Sequence, residues 1–345
     1  MLCSIVIPSR NEEKFIGHCI ESVIAQGFPK NELELLIVDG MSQDTTRDIV
    51  QKYAQQYPFI KLLENPQQIT PCALNIGIKA AQGEIIIRMD AHATYNPDYI
   101  SKCLQHLQES KADNVGGTMI TLPRENTFMG QLIVAVLTSR FGVGNSDFRT
   151  GTKQPKETDT VFGGCYHRKI FDRVGLFNEK LPSSQDMEFN LRLKKQGGRI
   201  MLFPDVVSYY YTRSDLRSFC RNNFRNGVWA VMPIKYSEII PVSWRHFIPL
   251  FFVISVLVSG MLIFVNRNLS WILVFIVSLY LAVALYFSSK TALNKKDWKY
   301  VVVLPFMYLS LHVLYGLGSF WALLQCLVSV DFWKNAIKIS HPQKV

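Results

Sequence analysis

Three long apolar stretches towards the end of the chain constrain its fold more than any other feature. Phe247 to Val265 runs 19 residues without a charge, Ser270 to Phe287 runs 18, and Tyr300 to Val330 holds 31. A membrane-spanning helix needs about 20 such residues. The first two stretches each fit one crossing, joined by the short turn Asn266-Arg267-Asn268-Leu269. The third is too long for one upright crossing, since at about 1.5 Å per residue it reaches roughly 46 Å against a hydrocarbon core near 30 Å. Pro305, Gly316 and Gly318 are places for it to break. A tilted helix with an interfacial tail and a re-entrant hairpin are both open, and the tilted helix is preferred. The expected spans are 247–265, 270–288 and 301–325, within a membrane region 247–330 that a basic tail, 331–345, follows.

Composition divides the 345-residue chain at the same place. Residues 247–345 carry eight basic and two acidic side chains, whereas residues 1–246 carry the other 29 basic and 25 acidic ones. With 48% hydrophobic residues overall, neither disorder nor a collagen-like fibre is compatible with this chain. The seven cysteines are scattered and form no C-x-x-C pair, so they read as reduced thiols, with neither a zinc site nor a disulfide framework. Lys290, Lys295, Lys296 and Lys299 lie between the second and third spans. By the positive-inside rule that loop is cytoplasmic, and so is the N-terminal region, which lies a further pair of crossings away. Lys334, Lys338 and Lys344 in the tail argue for the same side, although three crossings place the tail outside. No secretory signal is expected at the start, because charges arrive at Arg10 to Lys14.

The N-terminal region alternates short apolar runs with helical patterns. Leu2–Ile7, Leu33–Val38, Ile60–Leu63 and Glu84–Met89 read as strands. Residues 12–26 and 44–56, a segment opening at Thr70-Pro71, and one opening at Asn96-Pro97 read as helices, with Thr70 as an N-cap. Strands alternating with helices imply a mostly parallel sheet covered on both faces, and ligands bind beyond the carboxyl ends of such strands. Those ends are polar: Pro8-Ser9-Arg10-Asn11-Glu12-Glu13, Asp39-Gly40-Met41-Ser42-Gln43-Asp44 and Asp90-Ala91-His92. Neither G-x-G-x-x-G nor G-K-[ST] occurs there, which removes dinucleotide and P-loop readings.

The runs I-V-I-P-S-R-N-E-E, L-L-I-V-D-G-M-S-Q-D-T-T, L-N-I-G-I-K-A-A-Q-G, R-M-D-A-H and S-Q-D-M-E-F-N-L-R-L resemble, in order and spacing over about residues 3–200, the inverting family 2 glycosyltransferases. With the membrane tail, the likeness is to the succinoglycan-type exopolysaccharide glucosyltransferases. The resemblance implies a GT-A fold, Rossmann-like and α/β, on residues 1–212, plus C-terminal transmembrane helices. It implies a nucleotide-sugar donor, a UDP-sugar by preference, and a divalent metal, Mn²⁺ or Mg²⁺. Donor contacts fall on Pro8, Arg10, Glu12, Asp39, Asn75, Lys79, Arg88 and Asp90. Asp90 and His92 match a metal motif that is usually Asp-x-Asp; His92 has a second reading as a direct phosphate contact. Asp186 matches the catalytic base, although Gln185 stands where the family has Glu. Gly163 and Gly164 match the acceptor entry, with Arg192 on the same side; its spacing from Glu188 reads by default as an ion pair or helix brace. Asp44 reads as a helix cap by preference.

Arg213, Arg217, Arg221 and Arg225 recur every four residues and share one face of a helix. They make 213–246 a basic amphipathic segment suited to a bilayer surface or a lipid pyrophosphate. Phe128–Leu137 is apolar but too short to span, and reads as a buried helix or an interfacial segment. Nucleic acid fits poorly, for the remaining charge is nearly balanced. The expected activity is sugar transfer to a hydroxyl of a polyprenyl-pyrophosphate-linked saccharide in surface-glycan synthesis, at a bacterial inner or plasma membrane and alongside other glycan-assembly proteins. A polyprenyl-phosphate sugar synthase and a non-catalytic nucleotide-sugar-binding membrane protein are the alternatives.

Overall fold

A computed structural model of the chain describes residues 2–237 and 244–329. The expected basic tail, with Lys334, Lys338 and Lys344, lies outside the described residues, as do residues 238–243 of the expected interfacial segment. The chain divides into two compact units: Met1–Ile120 with Asp147–Tyr211, and Thr121–Ser146 with Thr212–Val345.

The first unit begins with β1 (Cys3–Ser9), α1 (Ile16–Ile24), β2 (Leu33–Asp39), α2 (Thr46–Gln56), β3 (Ile60–Glu64), α3 (Thr70–Ala80), β4 (Ile85–Arg88), β5 (Ala93–Tyr95), α4 (Tyr99–Ser110) and β6 (Asn114–Pro123). It resumes after an excursion with β7 (Lys156–Glu157), β8 (Phe162–His167), α8 (Lys169–Val174), α9 (Gln185–Lys195) and β9 (Ile200–Thr212). The strand order is β3-β2-β1-β4-β8-β6-β9-β5, with β7 on β9. Pairs β1–β2, β1–β4 and β2–β3 are parallel, as the alternation of strand and helix predicts. Beyond β4 the sheet turns antiparallel, at β4–β8, β6–β8, β5–β9 and β7–β9. The sheet is therefore mixed rather than mostly parallel. Its second half escapes a periodicity reading because glycines interrupt β6 and β8 at 116–117 and 163–164.

Side chains alternate across a strand, so one strand feeds two cores. Cys3, Ile5 and Ile7 pack with Ile16, Cys19 and Ile20 of α1 and with Ile100 and Cys103 of α4. Val6, Leu36 and Val38 face the other way, onto Leu74 and Ile78 of α3 and Phe189 and Leu193 of α9. This burial on both faces explains why β1 and β2 read as unbroken apolar runs. Element ends shift from the expected ones. Thr70 is inside α3, whose N-cap is Ile69 without a side-chain bond, and α4 starts only at Tyr99, with Asp98 as its N-cap.

The second unit holds α5 (Phe128–Leu137), α6 (Arg140–Val143), α10 (Leu216–Val231), α11 (Pro233–Tyr236), α12 (Ile248–Val265), α13 (Ser270–Lys295) and α14 (Lys299–Leu327). The short α7 (Asp147–Thr150) belongs to the first unit. Residues 121–146, expected to belong with 1–212, group here because α5 is apolar and finds its core here. Leu132, Ile133 and Val136 are buried with Leu304, Met307, Tyr308 and Leu311 of α14. Thr127 caps α5 by accepting from the Gly130 amide at 3.1 Å.

By length and composition, three helices ending at Val265, Lys295 and Leu327 are able to cross a membrane. The last is one unbroken helix of 29 residues with Pro305 inside it, which excludes the re-entrant hairpin. Gly316 and Gly318 do not break it but let helices close on it. A Cβ at Gly318 would overlap the Phe224 carbonyl of α10, and one at Gly316 the Pro249 carbonyl of α12. On α10, a Cβ at Gly227 would overlap the Tyr315 carbonyl, and the Ser319 hydroxyl donates to the Gly227 carbonyl at 2.9 Å. Small residues and hydroxyls of this kind hold helices together where lipid removes the hydrophobic drive. His312 adds a polar tie, pairing through its two ring nitrogens with the Tyr280 hydroxyl at 2.9 Å and the Phe141 carbonyl at 3.0 Å. Arg217, Arg221 and Arg225 are exposed on α10, opposite its buried Phe219 and Asn223. Arg213 precedes the helix, because Asp215 caps it by accepting from the Ser218 amide at 2.7 Å. Gly227→Leu should destabilise the second unit by more than about 1–3 kcal/mol, since backbone rather than a flexible side chain blocks the space. A thermal melt in detergent checks this, and Gly260→Leu, where nothing lies within 4 Å, serves as the neutral control.

Candidate active site

Loops after β1, β2 and β4, together with the start of α9, bring Arg88, Asp90 and Asp186 together and pair His92 with Glu12. The first two loops clasp one another. The Asn11 amide donates to the Ser42 hydroxyl at 2.8 Å, and the Gln43 amide donates to the Asn11 side chain at 2.9 Å. Asn11 and Met41 take left-handed backbone angles, φ 52° and 57°, a strain that a tightly tied loop supports. Asp44 accepts from the Thr46 amide at 3.0 Å and the Glu13 amide at 3.2 Å. Burial opposes its charge, but these bonds hold its carboxyl below the usual range. It sits one residue before the formal N-cap, Thr45, and still performs the capping expected of it.

Asp39 has no exposed surface. It accepts from the Ser42 hydroxyl at 2.5 Å, the Ser42 amide at 2.9 Å and Arg47 at 3.2 Å. Expected as a direct reader of the nucleoside, it instead holds the 39–47 loop in shape. Pro8 lies within β1 opposite Val38. Arg10 is exposed, donating to the Gln68 side chain at 2.5 Å. Lys79 is exposed on α3. Asn75, on the same helix, is buried and fully engaged: it donates to the Phe177 carbonyl and Glu179 carboxylate, both at 2.9 Å, and accepts from the Phe177 amide at 3.0 Å. Both of its N–H groups are taken, because it ties α3 to the turn after α8.

The charged centre lies at the end of β4. Arg88 donates to Asp90 at 3.3 Å and stands 3.8 Å from the Asp186 carboxylate. Burial disfavours the Arg88 charge, but Asp90 and Asp186 more than restore it and raise its pKa. Asp186 sits in the first turn of α9, after Ser184 at φ 64°. Its carboxylate accepts its neighbour's amide, Met187, at 2.9 Å and remains 36% exposed, which leaves it open to a substrate. Gly163, at φ 71°, passes so close to Arg88 that a Cβ would come within 2.7 Å of the Arg88 carbonyl. Gly164 similarly faces the Tyr166 ring. Both glycines are needed where β8 packs on β4.

His92 pairs through Nδ1 with Glu12 at 2.9 Å and meets the Tyr210 ring edge-on at 4.9 Å. Burial disfavours its charge, but Tyr210, Glu12 and Asp90 outweigh this and lift its pKa to about 10. Arg192 is a brace: it bonds Glu188 at 2.8 and 3.0 Å and the carbonyls of Val174 and Leu176 at 2.5 and 2.7 Å. Sequence reasoning missed two residues near this centre, Tyr210 in the interior strand β9 and Arg149 on the four-residue α7 (Asp147–Thr150), because no local pattern marks either. Asn75→Ala should destabilise the first unit by about 1–3 kcal/mol, the cost of leaving buried backbone groups unpaired. It should leave nucleoside-diphosphate affinity unchanged, as read by thermal melting and calorimetric titration.

Comparison with known proteins places this geometry. Residues 4–176 match the family described as glycosyl transferase family 2. The chain is 31% identical over 343 residues to a Methanococcus voltae protein, covering 97% of each. That relative is named dolichyl N-acetyl-alpha-D-glucosaminyl phosphate 3-beta-D-2,3-diacetamido-2,3-dideoxy-beta-D-glucuronosyltransferase. The chain is 29% identical over 268 residues to the succinoglycan biosynthesis protein ExoA of Rhizobium meliloti, covering 71% of this chain and 80% of that one. The solved mannosyltransferase PcManGT of Pyrobaculum calidifontis, described in complex with GDP-Man and Mn²⁺, superposes with a TM-score of 0.52 at 19% identity, covering 99% of this chain and 88% of that one. The fold is thus GT-A, as the motifs imply, and the chain belongs to glycosyl transferase family 2 and is a glycosyltransferase.

Proposed function

We propose that this transferase moves a sugar from a nucleoside diphosphate, a UDP-sugar by preference, to a hydroxyl of a polyprenyl-linked saccharide, inverting the anomeric centre. The observation that carries the reading is the pairing of an open carboxylate, Asp186, with a buried cation, Arg88, that also holds Asp90. Transfer needs a base for the attacking hydroxyl and positive charge for the departing diphosphate. Asp186 accepts the hydroxyl proton. Arg88 fixes both carboxylates and offsets negative charge as the sugar–phosphate bond breaks. The clasped loops carrying Arg10, Glu12 and Asp39 shape the nucleoside end, and His92, beside Asp90, is placed to contact the diphosphate or its metal.

The donor set suits a divalent metal that arrives with its diphosphate. Among the described residues no group of three or more His, Cys, Asp or Glu could hold a metal ion. Asp90, however, offers a hard oxygen, and Mg²⁺ or Mn²⁺ sites of this kind use one or two carboxylates beside phosphate oxygens. Asp90 would hold the ion, which when bound supplies charge neutralisation to the diphosphate.

The name of the Methanococcus voltae relative, with its dolichyl-linked N-acetylglucosaminyl phosphate, supports a lipid-linked saccharide as acceptor. The three long apolar helices and the exposed Arg217, Arg221 and Arg225 support presentation of that acceptor at a bilayer. The lysines at 290–299 favour a plasma-membrane protein with its catalytic unit in the cytoplasm.

Membranes containing the chain, labelled UDP- and GDP-sugars and Mn²⁺ test the proposal. Label should enter the organic phase with a polyprenyl-pyrophosphoryl sugar and fall by at least about 10²-fold in Asp186→Asn, while donor binding persists. Wild-type turnover in that variant removes Asp186 as the base, and label on bare polyprenyl phosphate identifies a sugar-phosphate synthase instead. Asp90→Ala should abolish the Mn²⁺ dependence of donor affinity in the same preparation.

A further inference from the structure

Charge at the centre of the site is not evenly partnered. Among the groups that face one another there, Arg88 has Asp90 and Asp186, and His92 has Glu12. Arg149, on the short α7, has neither a carboxylate nor a hydrogen bond among the described residues. Its Nη1 is buried and without a hydrogen-bond partner. Its guanidinium carbon lies 5.7 Å from the centre of the Tyr210 ring, the ring whose edge His92 meets, and 5.5 Å from that of Phe148. It lies within electrostatic range of both Asp90 and Asp186, yet burial dominates and pulls its pKa below the usual arginine value. A stacked guanidinium gains about 0.5–2 kcal/mol from an aromatic face, whereas an unpaired buried donor of a charged group costs more than the roughly 1–3 kcal/mol of a neutral one. Stacking alone therefore does not account for its position.

We propose that Arg149 is a phosphate-binding residue of this site, its guanidinium taking oxygens of a diphosphate. The diphosphate belongs either to the nucleotide sugar or to the lipid carrier. The planar fork of arginine matches phosphate geometry, and the charge-assisted bonds would satisfy the nitrogen now without a partner. The Tyr210 ring sets the plane of the fork and keeps it beside the Asp90–Asp186 centre. This rests on the glycosyltransferase reading above and adds to it a second cation, independent of Arg88.

Full-length protein in detergent, wild type and with Arg149→Gln or Arg149→Lys, is titrated calorimetrically with Mn²⁺ and UDP, with Mn²⁺ and GDP, and with a short-chain polyprenyl pyrophosphate. The Gln variant should lose at least about tenfold in affinity for the diphosphate that Arg149 contacts, with the Lys variant between. Loss confined to the nucleotides assigns Arg149 to the donor, and loss confined to the polyprenyl compound assigns it to the carrier. A thermal melt without ligand separates binding from scaffolding. Removing an unpaired buried charge should leave the melting temperature unchanged or raise it, whereas a structural arginine would lower it. Undiminished affinity for every probe in Arg149→Gln overturns the assignment and leaves the transferase reading standing. A wild-type protein that binds no diphosphate of either kind overturns both.

Discussion

A guanidinium buried at the end of β4 is costly unless carboxylates surround it, and the catalytic half of this molecule is organised around meeting that condition for Arg88. Asp90 comes from the same strand end and Asp186 from a helix almost a hundred residues later. The pairing therefore fixes where α9 must begin relative to the sheet. Gly163 serves the same end, since only a residue without a Cβ lets β8 pass against the Arg88 carbonyl. The result is one open carboxylate beside a fixed positive charge, an arrangement suited to the proposed displacement of a phosphate leaving group by a hydroxyl.

Much of this was legible beforehand because it obeys local rules. The parallel half of the sheet announces itself through apolar runs buried on both faces, and the polar loops at its carboxyl edge follow from that topology. Asp90 and Asp186 carried motif signals, and the structure brings both to one cation. The antiparallel half was hidden, because its strands are held by long-range pairing and contain glycines that read as loop. Asn75 and Arg192 misled for a related reason. Both lie on helices near the site in sequence, but their partners, Phe177 and the carbonyls of Val174 and Leu176, are known only once the chain has folded. Arg149 lay at the opposite extreme, a lone arginine in a polar run whose significance is set by what does not face it.

The three long apolar helices divide along similar lines. Apolar length gave their number and the turn at Asn266, but not their extent, for α13 runs to Lys295 and α14 starts at Lys299. Their ends carry lysines whose long stems can lie along apolar surface while the charge stays in water. Gly316 and Gly318, which by propensity weaken a helix, here form the surface against which α10 and α12 close. Helix-breaking and helix-packing glycines look the same in sequence, and only the neighbour's backbone tells them apart.

The excursion at residues 121–146 has a consequence for how the protein is made. Synthesis delivers α5 before either α10 or α14 exists, so Leu132, Ile133 and Val136 must wait for a core built more than a hundred and fifty residues later. A chain ended at 212 would retain that apolar helix with no partner to cover it, and would be prone to self-association however well the sheet itself had formed. A soluble catalytic fragment thus calls for two cuts and a splice, replacing 121–146 with a short polar connection as well as removing the C-terminal helices.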